Sequence, residues 1–138
     1  MKSINYVGIL VGAIVYTLLG MIWYSPFLFG DRFMALMGWP AIMVDSMVRN
    51  LGTNYVFAIL SSLIMVFILD LFIEYTQVKR FIDGMKIGLL LWLGFVATTN
   101  LSTVIFENRL FNLYLINIAY EMVCLALIGG MLAVWKRK

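Results

Sequence analysis

The apolar residues of this chain fall into four long runs, about 4–24, 54–75, 85–106 and 110–135, divided by short polar breaks. Each run is close to the roughly 20 residues a helix needs to cross a bilayer's hydrocarbon core. The pattern predicts an all-α integral membrane protein with four transmembrane helices, in one domain spanning 1–138. The segment 26–52 is too polar to span and too apolar for a solvated linker, so short interfacial helices are expected after the first span. Asp31 can cap one that Gly38 ends, and Pro40 can open a second. In that second helix Met43, Val44, Met47, Val48 and Leu51 share a face. An irregular loop packed on the bundle is the alternative.

Composition strengthens the membrane reading. The 138 residues are 64% hydrophobic and 12% charged, against roughly 45–50% and 25% in soluble domains. So short a soluble domain must keep much of its surface in water. The first run, behind Lys2, begins like a signal peptide but exceeds a usual apolar region. It closes on Trp23-Tyr24-Ser25-Pro26 instead of a small-residue cleavage site, and is read as a retained span. Pro26 biases Ser25 away from helical angles, so a turn is expected there. The Trp23 and Tyr24 rings are expected at headgroup level, with their polar atoms wet.

Histidine is absent, which removes imidazole metal sites and the usual neutral-pH proton shuttle. The lone Cys124 lies in an apolar run, so no intrachain disulfide can form, and packing is expected of it before reactivity. No cofactor, metal or catalytic residue is expected, nor an enzyme, since no nucleophile–base spacing is visible. Convergence of Tyr24, Ser25, Glu107 and Arg109 outside the membrane would reopen a lipid-directed reaction. The net charge of +3 suits topology and anionic lipid better than nucleic acid. Lys2, Lys79, Arg80, Lys86, Lys136, Arg137 and Lys138 flank one side of the spans; Arg32, Arg49 and Arg109 flank the other. The positive-inside rule then places both termini in the cytoplasm, in the cell membrane.

Small and polar residues inside the spans carry the remaining information. Gly8, Gly12 and Gly20 share a helix face with Tyr16, and Gly129-Gly130 marks another close approach. Asp70 and Glu74, near the end of the second span, are expected to reach the interface near Lys79, Arg80 and Lys86, with a paired-carboxylate site as the alternative. The densest polarity lies in Trp92–Glu121, which holds Thr98, Thr99, Asn100, Ser102 and Thr103, the break Glu107-Asn108-Arg109, and then Asn117, Tyr120 and Glu121. Only a few residues join spans three and four, so they are antiparallel neighbours.

At about 1.5 Å of rise per residue, Asn100 and Asn117 lie level, roughly 10 Å below the outer turn, which allows an Asn–Asn bond. Glu121 falls near mid-bilayer. An ionised carboxylate there costs several kcal/mol, so a neutral form is expected unless water or a cation reaches it. Tyr16, Ser61, Ser62 or a second copy can partner it, and Arg109 is too distant along the helix. Two readings compete. Glu121, Asn117, Asn100, Thr99 and Tyr16 line a polar site, or the amides and hydroxyls are interhelical glue worth about 0.6 kcal/mol per bond. Glue suits Asn and Thr; Glu121 favours function, because glutamine would bond more cheaply.

These residues resemble the domain-of-unknown-function 1761 family of small four-helix membrane proteins. The resemblance rests on Trp23-Tyr24-Ser25-Pro26 with Phe29-Gly30, and on Trp92-Leu93-Gly94-Phe95. It continues through Phe106-Glu107-Asn108-Arg109, Asn117 and Tyr120. It implies four spans and no settled activity. The expected function is a homo-oligomer that passes or binds a small solute or ion through polar faces of spans three and four. A membrane accessory or scaffold that docks a larger partner through its glycine faces is the alternative.

Overall fold

The computed structural model describes residues 4–135. The charged ends Lys2 and 136–138, on which the orientation reading partly rests, lie outside them. Helix α1 covers Tyr6–Trp23, the short α2 and α3 cover Gly30–Met37 and Ala41–Arg49, and α4 covers Leu51–Thr76. Helix α5, Phe81–Leu91, runs through a π-helical segment, Trp92–Ala97, into α6, Thr98–Ile105; α7 is Phe111–Trp135. No strand occurs among the described residues. Four rods, α1, α4, the continuous Phe81–Ile105 and α7, are long and apolar enough to cross a membrane.

Local chemistry accounts for most boundaries. The Asn5 side chain caps α1, its Oδ1 accepting from the Gly8 N–H at 2.9 Å. Gly38, at φ 57°, ends α2 in the left-handed conformation, and Pro40 precedes α3 in an extended one. Asp31 lies in the first turn of α2 and is not its cap, because the helix already begins at Gly30. Helix α4 follows α3 almost directly through Asn50. The third span starts at Phe81, four residues before the apolar run. Asp83 and Lys86 tolerate that first turn by pairing with each other at 3.7 Å.

Helix α7 is the axis of the bundle. Half of its apolar stretch is buried, against 11% for the third span. Lipid supplies no hydrophobic force between helices, so association rests on close packing and interhelical hydrogen bonds. Helices α5 and α7 achieve this through glycine. A Cβ on Gly84 would collide with the Gly129 carbonyl, and one on Gly88 with the Leu125 carbonyl, so the two backbones touch. The Gly84-x-x-x-Gly88 pair is a contact the sequence reading passed over, while Gly129 fills the role expected of it. On α1, a Cβ on Gly12 would meet Val66 at 2.6 Å and Ile128 at 3.2 Å. Val66, Leu69, Ile73, Cys124, Ile128, Leu132 and Ala133 complete a core in the half nearest the described chain ends.

Asp70 departs from expectation. The sequence reading placed it at the interface, yet it is fully buried in this half of the bundle. Helix α4 extends six residues past it, about 9 Å. Lys86, expected near it, pairs with Asp83 instead.

The opposite half of the bundle is loosely joined. Residues 51–61 of α4 are all exposed, and so is most of α6. At that level the interior holds the tyrosines Tyr16, Tyr24 and Tyr120 in place of glycine contacts, and Gly20 of α1 makes room for the Tyr120 hydroxyl.

Enlarging Gly88 to Ala is expected to push α5 from α7 and to destabilise the protein by about 1–3 kcal/mol, as overpacking does. Gly52, where a Cβ meets nothing within 4 Å, should tolerate Ala within about 0.5 kcal/mol. Unfolding of the purified variants in mixed micelles by increasing SDS measures both. Equal stability of the two variants would contradict the backbone contact.

Candidate functional site

The turn after α1 builds the upper wall of the site. The Ser25 carbonyl accepts the N–H groups of Leu28 at 3.1 Å and Gly30 at 2.9 Å, folding residues 25–30 into a compact corner. Gly30 is required there, because a Cβ would strike the Tyr24 carbonyl. The corner lays Phe29 on the Trp23 ring at a centroid distance of 4.8 Å, and Phe33 of α2 packs edge-on to Tyr24 at 4.9 Å.

The polar atoms of Trp23 and Tyr24 are not wet, as the sequence reading had them. Trp23 Nε1 donates to the Ile116 carbonyl at 3.2 Å, and the Tyr24 hydroxyl to Asn117 Oδ1 at 2.8 Å. A helix carrying bonded partners lies within reach, so these side chains tie α1 to α7.

Below that tie sits Glu121. The Tyr16 hydroxyl donates to its Oε1 at 2.6 Å, across α1 and α7. The Tyr120 hydroxyl donates to the Tyr16 carbonyl at 2.8 Å. Tyr120 packs against Tyr16 and Tyr24 at centroid distances of 5.3 and 5.4 Å, so the rings form one wall. Of the other candidate partners, Ser62 donates to the Ile59 carbonyl of its own helix at 2.8 Å, and Ser61 is exposed.

The facing wall comes from α6, and the π-helical segment sets its rotation. A wider turn leaves backbone carbonyls weakly paired, and such turns recur at functional sites. Here successive carbonyls receive side-chain donors. Thr98 Oγ1 donates to Gly94 O at 2.7 Å, Thr99 Oγ1 to Phe95 O, Asn100 Nδ2 to Val96 O at 2.9 Å, and the Tyr114 hydroxyl to Ala97 O at 2.7 Å. The Thr-Thr-Asn run therefore bonds back along its own helix, onto carbonyls of the π segment. This corrects the expected Asn100–Asn117 bond, because each amide is bonded elsewhere. Thr99 is exposed and does not line the space facing Glu121. Trp92 Nε1, donating to the Ile118 carbonyl at 2.7 Å, holds the segment against α7.

Between these walls lies a cleft of about 200 Å³. Glu121, Asn117 and Tyr120 line it from α7, Tyr24 from the end of α1, and Asn100 and Thr103 from α6. Arg109 reaches it from the turn, where Asn108 adopts φ 52°. Its Nε bonds Glu107 Oε2 at 2.9 Å, so the mouth carries a neutralised pair, and Arg109 does not pair with Glu121. Ser25 and Glu107 do not line the cleft, and the Ser25 hydroxyl donates to the Ile22 carbonyl at 2.7 Å. Towards the chain ends the glycine-packed core closes the space. A second hollow, of about 470 Å³, opens between α1 and the exposed end of α4, lined by Tyr16, Thr17, Met21 and Tyr55. Tyr24 and Tyr120 border both spaces. Among the described residues no cluster of His, Cys, Asp and Glu could hold a metal ion.

A double-mutant cycle on Tyr16→Phe and Glu121→Gln is expected to give a coupling of about 1 kcal/mol, within the range of interhelical bonds in membranes. The Asn100→Ala and Asn117→Ala pair should be additive, since no bond joins them. Stability of each variant in the SDS titration provides both values. Coupling between the two asparagines would restore the original hairpin reading.

Part of the set that carried the family resemblance meets at this place: Trp23, Tyr24, Phe29 and Gly30 at the corner, Trp92 beneath the π turn, and Asn117, Tyr120 and Arg109 around the cleft, whereas Leu93, Phe95 and Phe106 are exposed. Comparison with curated proteins and with solved structures returned no match. The family model described as "Protein of unknown function (DUF1761)" matches residues 7–133. That is nearly the whole chain, and the protein belongs to the DUF1761 family.

Proposed function

We propose that this protein binds a small solute in the cleft between α1, α6 and α7, and passes it across the cell membrane as a homo-oligomer. The supporting observation is Glu121, a carboxyl about 15 Å along α7 from Phe111, on the wall of a hollow instead of in dry packing. Intramembrane carboxyls are costly and mark ligand or ion sites. The bonds from Tyr16 and Tyr24 preorganise Glu121 and Asn117, leaving further lone pairs for a ligand.

The cleft opens towards the Glu107–Arg109 turn and stops at the glycine-packed core. A single copy in this conformation is therefore a binding site reached from one side. Passage requires the open half to rearrange, or a path completed between copies. The charges flanking the spans support a cytoplasmic position for both termini, with the cleft mouth outside. The glycine faces argue against a docking role, since Gly12, Gly84, Gly88 and Gly129 already pack within the chain.

Proteoliposomes carrying the protein are expected to take up small polar solutes above the rate of empty vesicles, with Glu121→Gln lowering uptake at least about tenfold, or ~1.4 kcal/mol of lost stabilisation. Background flux in both proteins, with no solute bound by either, would refute the reading.

A further inference from the structure

We propose that the ligand of this cleft is a small organic monocation, held by the Glu121 carboxylate in exchange for the carboxyl proton. The inference rests on the solute-binding reading and adds the ligand's chemical class.

Charge decides its sign and valence. The titratable and charged groups around Glu121 are Tyr16 and Tyr24 from α1, Tyr114, Tyr120 and Cys124 from α7, and Arg109 at the mouth. Helix α4 contributes Tyr55 to the neighbouring hollow, and the third span contributes the uncharged Trp92, Asn100 and Thr103. Arg109 is committed to Glu107, and Lys86 to Asp83. The hollow is thus neutral when the carboxyl is protonated, and neutral again when a carboxylate holds one positive charge. An anion or a divalent cation would leave uncompensated charge in a low-dielectric space, which is expensive.

The wall decides between an organic and a metal cation. Aromatic rings of Tyr24, Tyr114 and Tyr120 line the cleft beside Glu121. Aromatic rings attract a weakly hydrated ammonium by cation–π interaction. A hard metal cation needs several oxygen ligands in a tight shell, whereas the oxygens here are spread over three elements, α1, α6 and α7. The volume of about 200 Å³ admits a cation of roughly benzene's size, since a cavity of about 150 Å³ holds benzene.

The exchange balances without further reactants. The Glu121 O–H bond breaks, its proton leaves through the cleft mouth to water, and the cation takes its place beside the carboxylate. One proton departs for each monocation bound, and no electron moves.

Titration of the purified protein in nanodiscs with tetramethylammonium chloride tests this, by calorimetry in two buffers of different ionisation enthalpy. Saturable binding is expected, with close to one proton released per cation at acidic pH. On that acidic side affinity should fall about tenfold per pH unit, as one proton competes with one cation. Glu121→Gln, with unchanged helical circular dichroism and elution volume, should lose binding. Glu121→Asp should bind more weakly while keeping the proton release, and sodium chloride at equal concentration should not compete. Binding that survives Glu121→Gln, or that releases no proton at any pH, would overturn the proposal. So would Glu121-dependent binding of urea without any of tetramethylammonium, which leaves the solute site standing. Absence of all binding, with background flux, sinks both.

Discussion

The contact between the backbones of α5 and α7 is the constraint on which the remaining structure depends. Hydrophobic burial does not drive helices together in lipid, so attraction must come from atoms in close contact and from polar groups with nowhere else to bond. Gly84, Gly88 and Gly129 give the first kind of attraction at one end of the bundle. The second kind operates at the other end, where side chains too large for such an approach hold the helices apart and bridge them. Closing one half tightly leaves the opposite half free to carry a cavity.

The bridges are unusually complete. Trp23, Tyr24, Tyr16, Tyr120, Trp92 and Tyr114 each donate across to an acceptor on another helix. Aromatic donors suit this task, because their rings fill the gap that their polar tips span. The result is a hydrogen-bonded frame around Glu121, and preorganised surroundings lower the cost of ordering a ligand on binding.

Asp70 adds a second buried carboxyl on the far side of the core. It lies in the glycine-packed half, with Leu69 and Ile73, whereas Glu121 borders open space. The two carboxyls thus occupy opposite settings, one within packing and one on a cavity wall. Depth along a helix is a property of sequence; the direction of the side chain is not.

Much of the architecture follows from the sequence alone. Four apolar runs of bilayer length, a turn at Pro26, short helices bounded by Gly38 and Pro40, and glycine contacts on α1 and α7 rest on local composition and sterics. Glu121 and Tyr16 were legible as partners, because few polar groups share that depth. The rotation of α6 was not legible, since a π turn shifts the face of every residue after it, whereas residue spacing reports the regular α-helical period. That rotation decided that Asn100 borders the cleft while bonding its own helix, and that Thr99 lies outside. Residue type and spacing therefore determined which segments become helices and which of them carry polarity. Tertiary structure decided which polar groups face one another, because in a low-dielectric interior each donor takes the nearest acceptor that packing leaves within reach.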